Sequence, residues 1–266
     1  DLLALWQAHH VAGLLADVAP EITVEIEIIS TEGDRRTDVP LAQIGGKGVF
    51  VKEVQAAVLD GRADIAVHSA KDLPALTPTG LVIVAVPERA DARDVLVGGR
   101  LADLPAGATV ATGSPRRRAQ LADLRPDLRF EELRGNIDTR LAKSSSFDAI
   151  VMAKAALDRL DRHPEVVDPI DVDVMVPQVG QAALAIECRA DDHDLVELLS
   201  RLDHRATRLA VDAERVGEEI DRLRRARRTE AVDARVARQR LLCDVRTISD
   251  AQLPDVARAL RAAIRR

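Results

Sequence analysis

The chain has 266 residues and a mass of 28.9 kDa, enough for two compact domains or three small ones and too much for a single small binding module. Its 44 acidic residues outnumber 38 basic ones, so the net charge of -6 gives no general bias toward nucleic acid or an anionic membrane, and any anion must be held by a local cluster. Two cysteines, Cys188 and Cys243, are too few for a disulfide framework or a four-thiolate metal site; they suit a reducing compartment, with the cytoplasm the expectation.

"DLLALWQAHHVAGLLADV" has amphipathic helical spacing from the first residue. No apolar stretch approaches the roughly 18 residues of a membrane helix, and no charged leader precedes a hydrophobic core, so a soluble, untargeted protein is expected. "ITVEIEIIS", residues 22–30, alternates apolar and polar side chains and predicts a strand with one buried face. "VFVKEVQAAVLDG" returns to helical spacing and stops at Gly61. "ADIAVHS" and "LVIVAV" are short apolar strands of the sort buried in a mostly parallel sheet.

After the polar stretch "PERADARDVLVGGR" the alternation begins again. "GATVATGS" reads as strand into loop, "RRRAQLADL" as helix, "LRFEEL" as strand, "NIDTRLAK" as helix, "FDAIVMAKAAL" as strand and helix, and "AALAIEC" as one more buried strand. Alternation of this kind predicts α/β architecture. Crossings between two units are expected near residues 87–93 and 176–182, giving a first lobe of residues 1–89 and 182–206, a second of 90–181, and a C-terminal region of 207–266. Two crossings make a hinge, with a ligand cleft between the lobes. From about residue 191 the chain turns helical and charged. Five arginines lie between Arg222 and Arg228, but Glu218 with Arg222 and Asp221 with Arg225 are spaced to pair along a helix, and the segment has no aromatic residue to stack bases.

Four polar clusters fall at predicted strand ends, where open α/β sheets present ligands. "GGKGVF" offers close backbone approach and the cation of Lys47, though its spacing fits neither a P-loop nor a dinucleotide fingerprint. "HSAKDLP" crowds His68, Ser69, Lys71 and Asp72 before Pro74; Ser69 and Asp72 suit either a turn or chemistry, and Asp72 is the one carboxylate there able to act as acid, base or cation stabiliser. "ATGSPRRR" sets Thr112, Ser114, Arg116 and Arg117 at a helix start, which favours anions. "LRGNIDTR" adds Arg134 and Arg140, whose planar forks suit carboxylate or phosphate. Together these predict a basic wall facing Asp72. The histidines (His9, His10, His68, His163, His193, His204) lack metal-ligand spacing, and Cys188 reads as a buried core residue.

Taken in order, "LALWQAHHV", "GGKGVFVKE", "GRADIAVHSAKDLP", "SPRRRAQL", "LRGNIDTRL", "FDAIVMAKAAL", "VGQAALAIECR" and "AERV" resemble the hydroxymethylbilane synthase, or porphobilinogen deaminase, family over about residues 2–215. The resemblance implies two lobes like those of periplasmic binding proteins, a small third α+β domain, and a cytoplasmic, monomeric enzyme of tetrapyrrole synthesis. Such enzymes join four porphobilinogen units head to tail with loss of ammonia, on a dipyrromethane cofactor held by a thioether to a cysteine of the third domain. It implies that Asp72 lies beside the pyrrole nitrogens, that Ser69, Lys71, Thr112, Ser114, Arg116, Arg117, Arg134 and Arg140 hold cofactor or substrate side chains, and that Lys47 and Phe50 belong to a loop over the cleft. Two departures stand out. The strand and basic loop that precede "LALWQA" in the family have no counterpart here. The offset at which the family carries its cofactor cysteine falls on Arg225, and Cys243, eighteen residues later, has no glycines around it. The C-terminal region, whether α+β or helical, thus diverges from the cofactor-anchoring domain. An inactive homologue, or a chain damaged at this end, that binds a polyanion or tetrapyrrole without turnover is the alternative; a secreted solute receptor would leave Asp72 unexplained.

Overall fold

A computed structural model describes residues 2–29 and 51–229. Helix α1 (Leu2–Val18) is followed by α2 (Lys52–Leu59), strand β1 (Ile65–Ser69) and a single 3-10 turn at Ala70–Asp72. Strands β2 (Leu81–Ala85), β3 (Asp94–Val97) and β4 (Thr109–Ala111) lead to α3 (Pro115–Leu124) and β5 (Arg129–Glu131). Helix α4 (Ile137–Ala142), β6 (Ala149–Ala153), α5 (Lys154–Arg159) and β7 (Val167–Pro169) come next, then β8 (Leu184–Arg189), α6 (His193–Ser200) and α7 (Arg205–Thr229). Calls at Lys47, Phe50 and Cys243 lie outside the described residues, as do the side chains of the pairs drawn to Arg222 and Arg225.

The strands form two sheets, β1-β8-β2 and β5-β4-β6-β3-β7. The architecture is α/β, but the expectation of a mostly parallel arrangement is corrected. In the first sheet β8 runs antiparallel to both neighbours, with Ile65 opposite Cys188 and Leu81 opposite Arg189. In the second, β4 is parallel to β5 and β6, whereas β3 is antiparallel to β6 and β7. The physical reason is the route of the chain: β8 returns from the second sheet and enters the first from the opposite end. A continuous apolar run reports burial on both faces and says nothing of strand direction.

Burial on both faces follows from the period of two. In the five-stranded sheet, Leu96, Val110, Ala149 and Val151 pack with Leu121 of α3, while Val95, Val97, Ile150 and Met152 pack with Leu157 of α5. In the three-stranded sheet, Leu184, Ile186 and Cys188 meet Val11 and Leu15 of α1 and Leu199 of α6. Ala183 and Ala185 turn to the other side with Val51 and Val211. Burying one Leu or Ile side chain contributes about 1.5–3 kcal/mol, so these layers hold the sheets together.

Two expectations fail locally. Residues 23–27 keep the alternation, Val24 and Ile26 being half-buried between exposed Thr23, Glu25 and Glu27, but Ile22 and Ile28 are exposed and the segment pairs with no strand among the described residues. Alternation specifies a face, whereas a strand also needs a ladder partner. Conversely, "DVLV" inside the supposedly polar stretch is β3, buried at all four positions.

The sheets are joined through two crossings that hold each other. Ala90 N donates to Ala182 O, and Arg89 Nε donates to Gln181 O at 2.8 Å. Glu214 of α7 accepts from both arms of Arg89, at 2.7 and 3.2 Å, and from Gly180 N at 2.7 Å. A third contact lies between helices: the Arg159 guanidinium sits 5.4 Å from the centre of the Trp6 ring, which stacks on His10 at 4.9 Å.

Candidate active site

The segment "HSAKD" divides at the end of β1. His68 points into the core, 5% exposed, within 3.1 Å of the fully buried Glu187, whose carboxylate also accepts two hydrogen bonds from Gln55. It belongs to the layer behind the turn. Ser69 accepts a hydrogen bond from Gln7 Nε2 of α1 at 2.9 Å, and Ala70 N donates to Ala183 O. The chain then tightens into the 3-10 turn, closed by Leu73 N donating to Ala70 O and held by the buried Leu73 side chain. Lys71 and Asp72 are thereby presented, half-buried, from a turn anchored on both sides.

The return crossing presses against that turn. A Cβ on Gly180, whose φ is +70°, would come within 2.8 Å of the Ala70 carbonyl carbon and 2.9 Å of Lys71 N. Only glycine permits both this backbone conformation and this approach. Gln178 Nε2 donates to Lys71 O at 3.2 Å from the same segment.

At the second sheet, Ser114 caps α3, accepting from Arg117 N at a long 3.5 Å, and Pro115 opens the helix. Buried Thr112 accepts from Ser114 N at 3.2 Å. Gly113 lets this loop lie on the next cluster, since a Cβ there would meet Leu133 O at 2.9 Å. Arg116 and Arg117 converge on Asp94, the first residue of β3, which is fully buried. Arg116 Nη2 reaches it at 2.7 Å, and Arg117 Nε and Nη2 at 3.0 and 2.8 Å. Arg116 Nη1 donates to Val176 O, but its buried Nε has no partner among the described residues. Arg140 Nε donates to Gly135 O at 2.7 Å. Arg134 donates to Glu132 at 2.8 Å and is 40% exposed, at the rim.

Electrostatics tie these groups together. Burial pushes the Lys71 ammonium below its ordinary range; Asp72 opposes the shift, Arg117 and Arg140 add to it, and Asp94 opposes it. Burial lowers Arg117, and burial plus Arg117 lowers Arg140. So Lys71, Asp72, Arg117 and Arg140 share one field, with Arg116 joined through Asp94. Thr112 and Ser114 serve the local backbone, Ser69 ties the turn to Gln7 of α1, and Lys47 lies outside the described residues. Sequence reading missed Asp94 and Gln181; an acid heading the apolar run "DVLV" was the available signal.

A family model described as porphobilinogen deaminase, dipyromethane cofactor binding domain, matches residues 2–197. The chain belongs to the porphobilinogen deaminase family. A porphobilinogen deaminase of Brevibacillus brevis is 50% identical over 218 residues, covering 80% of this chain and 71% of that protein. One of Nitratidesulfovibrio vulgaris is also 50% identical over 218 residues, covering 80% and 69%. Among solved structures, the chain resembles an ancestral cationic amino acid solute binding protein at 17% identity and a TM-score of 0.43, over 74% of this chain and 77% of that one.

The residues can be tested for their fit to the dipyrromethane cofactor of the porphobilinogen deaminase family. Its carboxylate side chains suit the cationic cluster, and Arg116 Nε is a buried donor with no acceptor among the described residues. A thioether is another matter. Cys188, the cysteine among the described residues, is fully buried in the central strand of the first sheet, and burial raises its thiol above the usual range. It cannot serve as anchor without opening the sheet.

Proposed function

We propose that this chain acts as hydroxymethylbilane synthase, condensing four porphobilinogen units head to tail with loss of ammonia, and that Asp72 and the cluster around it carry the reaction. The supporting observation is a charge balance. Four cations (Lys71, Arg116, Arg117 and Arg140) stand with two carboxylates (Asp72 and Asp94), leaving two positive charges. Each porphobilinogen brings an acetate and a propionate, so one pyrrole neutralises that surplus. Partial burial strengthens such pairing relative to water.

In this reading the arginines orient the pyrrole by its carboxylates and Asp72 faces the ring nitrogen. As the C–N bond of the aminomethyl group breaks and its amine leaves as ammonia, positive charge develops on the pyrrole and the methylene carbon that stays on it, and a carboxylate already in position stabilises it without reorganisation. The same carboxylate can hold the ring N–H and assist proton transfer when the new bond forms. The cofactor, when bound, supplies the nucleophilic pyrrole carbon on which growth begins. Residues 1–89 with 182–206 and residues 90–181 act as two lobes about the crossings. We assign the protein to the cytoplasm as a monomer.

The buried state of Cys188 and the occurrence of Arg225 at the expected anchor offset favour a second reading, a protein that binds a polyanion or tetrapyrrole without turnover. Here Cys243 is the remaining thiol. Purified chain supplied with porphobilinogen separates the two. An enzyme gains the dipyrromethane mass, colours with acid 4-dimethylaminobenzaldehyde and releases ammonia. A bare polypeptide mass without ammonia release overturns the catalytic reading.

A further inference from the structure

Asp94 counts in the charge balance but has no part in the chemical steps. Its carboxylate is fully buried at the head of β3, a strand otherwise composed of Val95, Leu96 and Val97. A buried ion is expensive, and an apolar side chain in such a place is often neutral or stabilising, so the fold alone gives no reason for it. Its partners come from separate parts of the chain: Arg116 and Arg117 from the first turn of α3, and Gln181, whose Nε2 donates to Asp94 Oδ1 at 2.9 Å and to Ala92 O at 2.7 Å. Arg117 is also held by Val151 O at 3.2 Å. Arg116 is the more open of the two, with its side chain 24% exposed and its Nε unpartnered among the described residues.

We propose that Asp94 is a positioning residue: it touches no ligand, but as their shared counter-charge it holds the Arg116 and Arg117 forks ready for carboxylates and, through Gln181, fastens them to the return crossing. Two guanidiniums this close repel one another, and without an anion between them they would swing apart toward solvent. Asp94 neutralises one of the two charges, leaving the other for the ligand. Gly180, next to Gln181, abuts the Lys71 turn, so the same crossing touches both sides of the cluster.

The proposal rests on the function given above, and its test is chosen so that the two can fail separately. Asp94→Asn keeps the shape and removes the charge; Asp94→Glu keeps the charge and shifts it by one methylene. For both, KM for porphobilinogen is expected to rise about 10-fold, the equivalent of one charge-assisted hydrogen bond, while kcat per folded active site changes less than about 3-fold. A structural role alone would lower the folded fraction and leave KM where it was. The second measurement is the rise in Tm produced by citrate, a tricarboxylate, which needs no turnover. The rise is expected in the unaltered chain and is lost in whichever variant folds. Should the unaltered chain not turn over porphobilinogen while this pattern holds, the proposal stands and the function falls. Unchanged KM with an unchanged citrate shift, in either variant, overturns the proposal.

Discussion

Gly180 lies against Lys71 so closely that a single added carbon would sit 2.9 Å from the Lys71 amide nitrogen. The crossing and the turn that bears Asp72 therefore move as one. Gly180→Ala adds that carbon and also strains a φ of +70°. A cost of about 1–3 kcal/mol is expected, read as a lower Tm. Because displacement of a catalytic group by about 1 Å costs roughly 100-fold in rate, kcat should fall far more than the stability loss accounts for. A variant with lowered Tm and full kcat would refute the coupling.

Asp72→Asn removes charge without changing shape. If a carboxylate stabilises the developing pyrrole cation, kcat should fall by about 100-fold or more. Circular dichroism and Tm should stay close to those of the unaltered chain, since the turn is held by Ala70, Leu73 and Gly180 rather than by this side chain alone. Full turnover by the variant would remove Asp72 from the chemistry.

Lys71 gives a pH signature. Its folded pKa is lowered from 10.5, first by burial, so folding releases a proton in the alkaline range. Below the folded pKa the charged form is the one penalised, and this penalty is relieved as pH rises from there toward 10.5. A carboxylate ligand adds negative charge beside it and raises the pKa again. Citrate binding between those limits should thus take up a fraction of a proton per site, measured by calorimetry in two buffers of different ionisation enthalpy. Lys71→Met should abolish the uptake; uptake that persists would assign the proton to another group.

Trp6 provides an optical probe, since the chain has one tryptophan and no tyrosine. Its ring stacks on His10 and has the Arg159 guanidinium 5.4 Å from its centre. Burial and Arg159 lower the His10 pKa, so the imidazole becomes charged only below 6.5. Protonation should quench Trp6 emission with a midpoint under that value. Arg159→Met removes the smaller of the two causes and should move the midpoint part of the way back up. An unmoved midpoint would mean that the stack does not persist in solution.

Cys188→Ala is expected to cost only about 1 kcal/mol, as the loss of a small buried side chain. Any covalent cofactor mass should be retained, because the thiol is buried on the sheet face covered by α1 and α6. In the unaltered chain this thiol should stay unreactive toward a thiol reagent until denaturant is added. Loss of the added mass in the variant would place the anchor in the first sheet.

Much of this was legible in the sequence, for physical reasons. Helix α3 announces itself through the Ser114 cap, Pro115 and apolar spacing, all of them local effects. The grouping of Lys71, Asp72, Arg117 and Arg140 followed from strand-end position in an α/β pattern. Strand direction did not, because it depends on where β8 returns, 123 positions beyond its partner in the pair Ile65 and Cys188. His68 was grouped with the turn by proximity in sequence, whereas the alternation of β1 turns it toward Glu187. Asp94 was hidden for the converse reason: its partners are distant in sequence, and the local signal, an acid heading an apolar run, does not say what it pairs with.

The order of strands also bears on how the protein is made. The five-stranded sheet is drawn from one uninterrupted run, residues 94–169, and every strand it needs is present once that run has been synthesised. The three-stranded sheet has its middle strand at Leu184–Arg189, so β1 and β2 leave the ribosome with nothing between them. On a growing chain the inner unit can therefore fold while the outer one waits with two apolar edges open. The slowest step of maturation and its most aggregation-prone moment should both fall in that interval, before the last strand slides in.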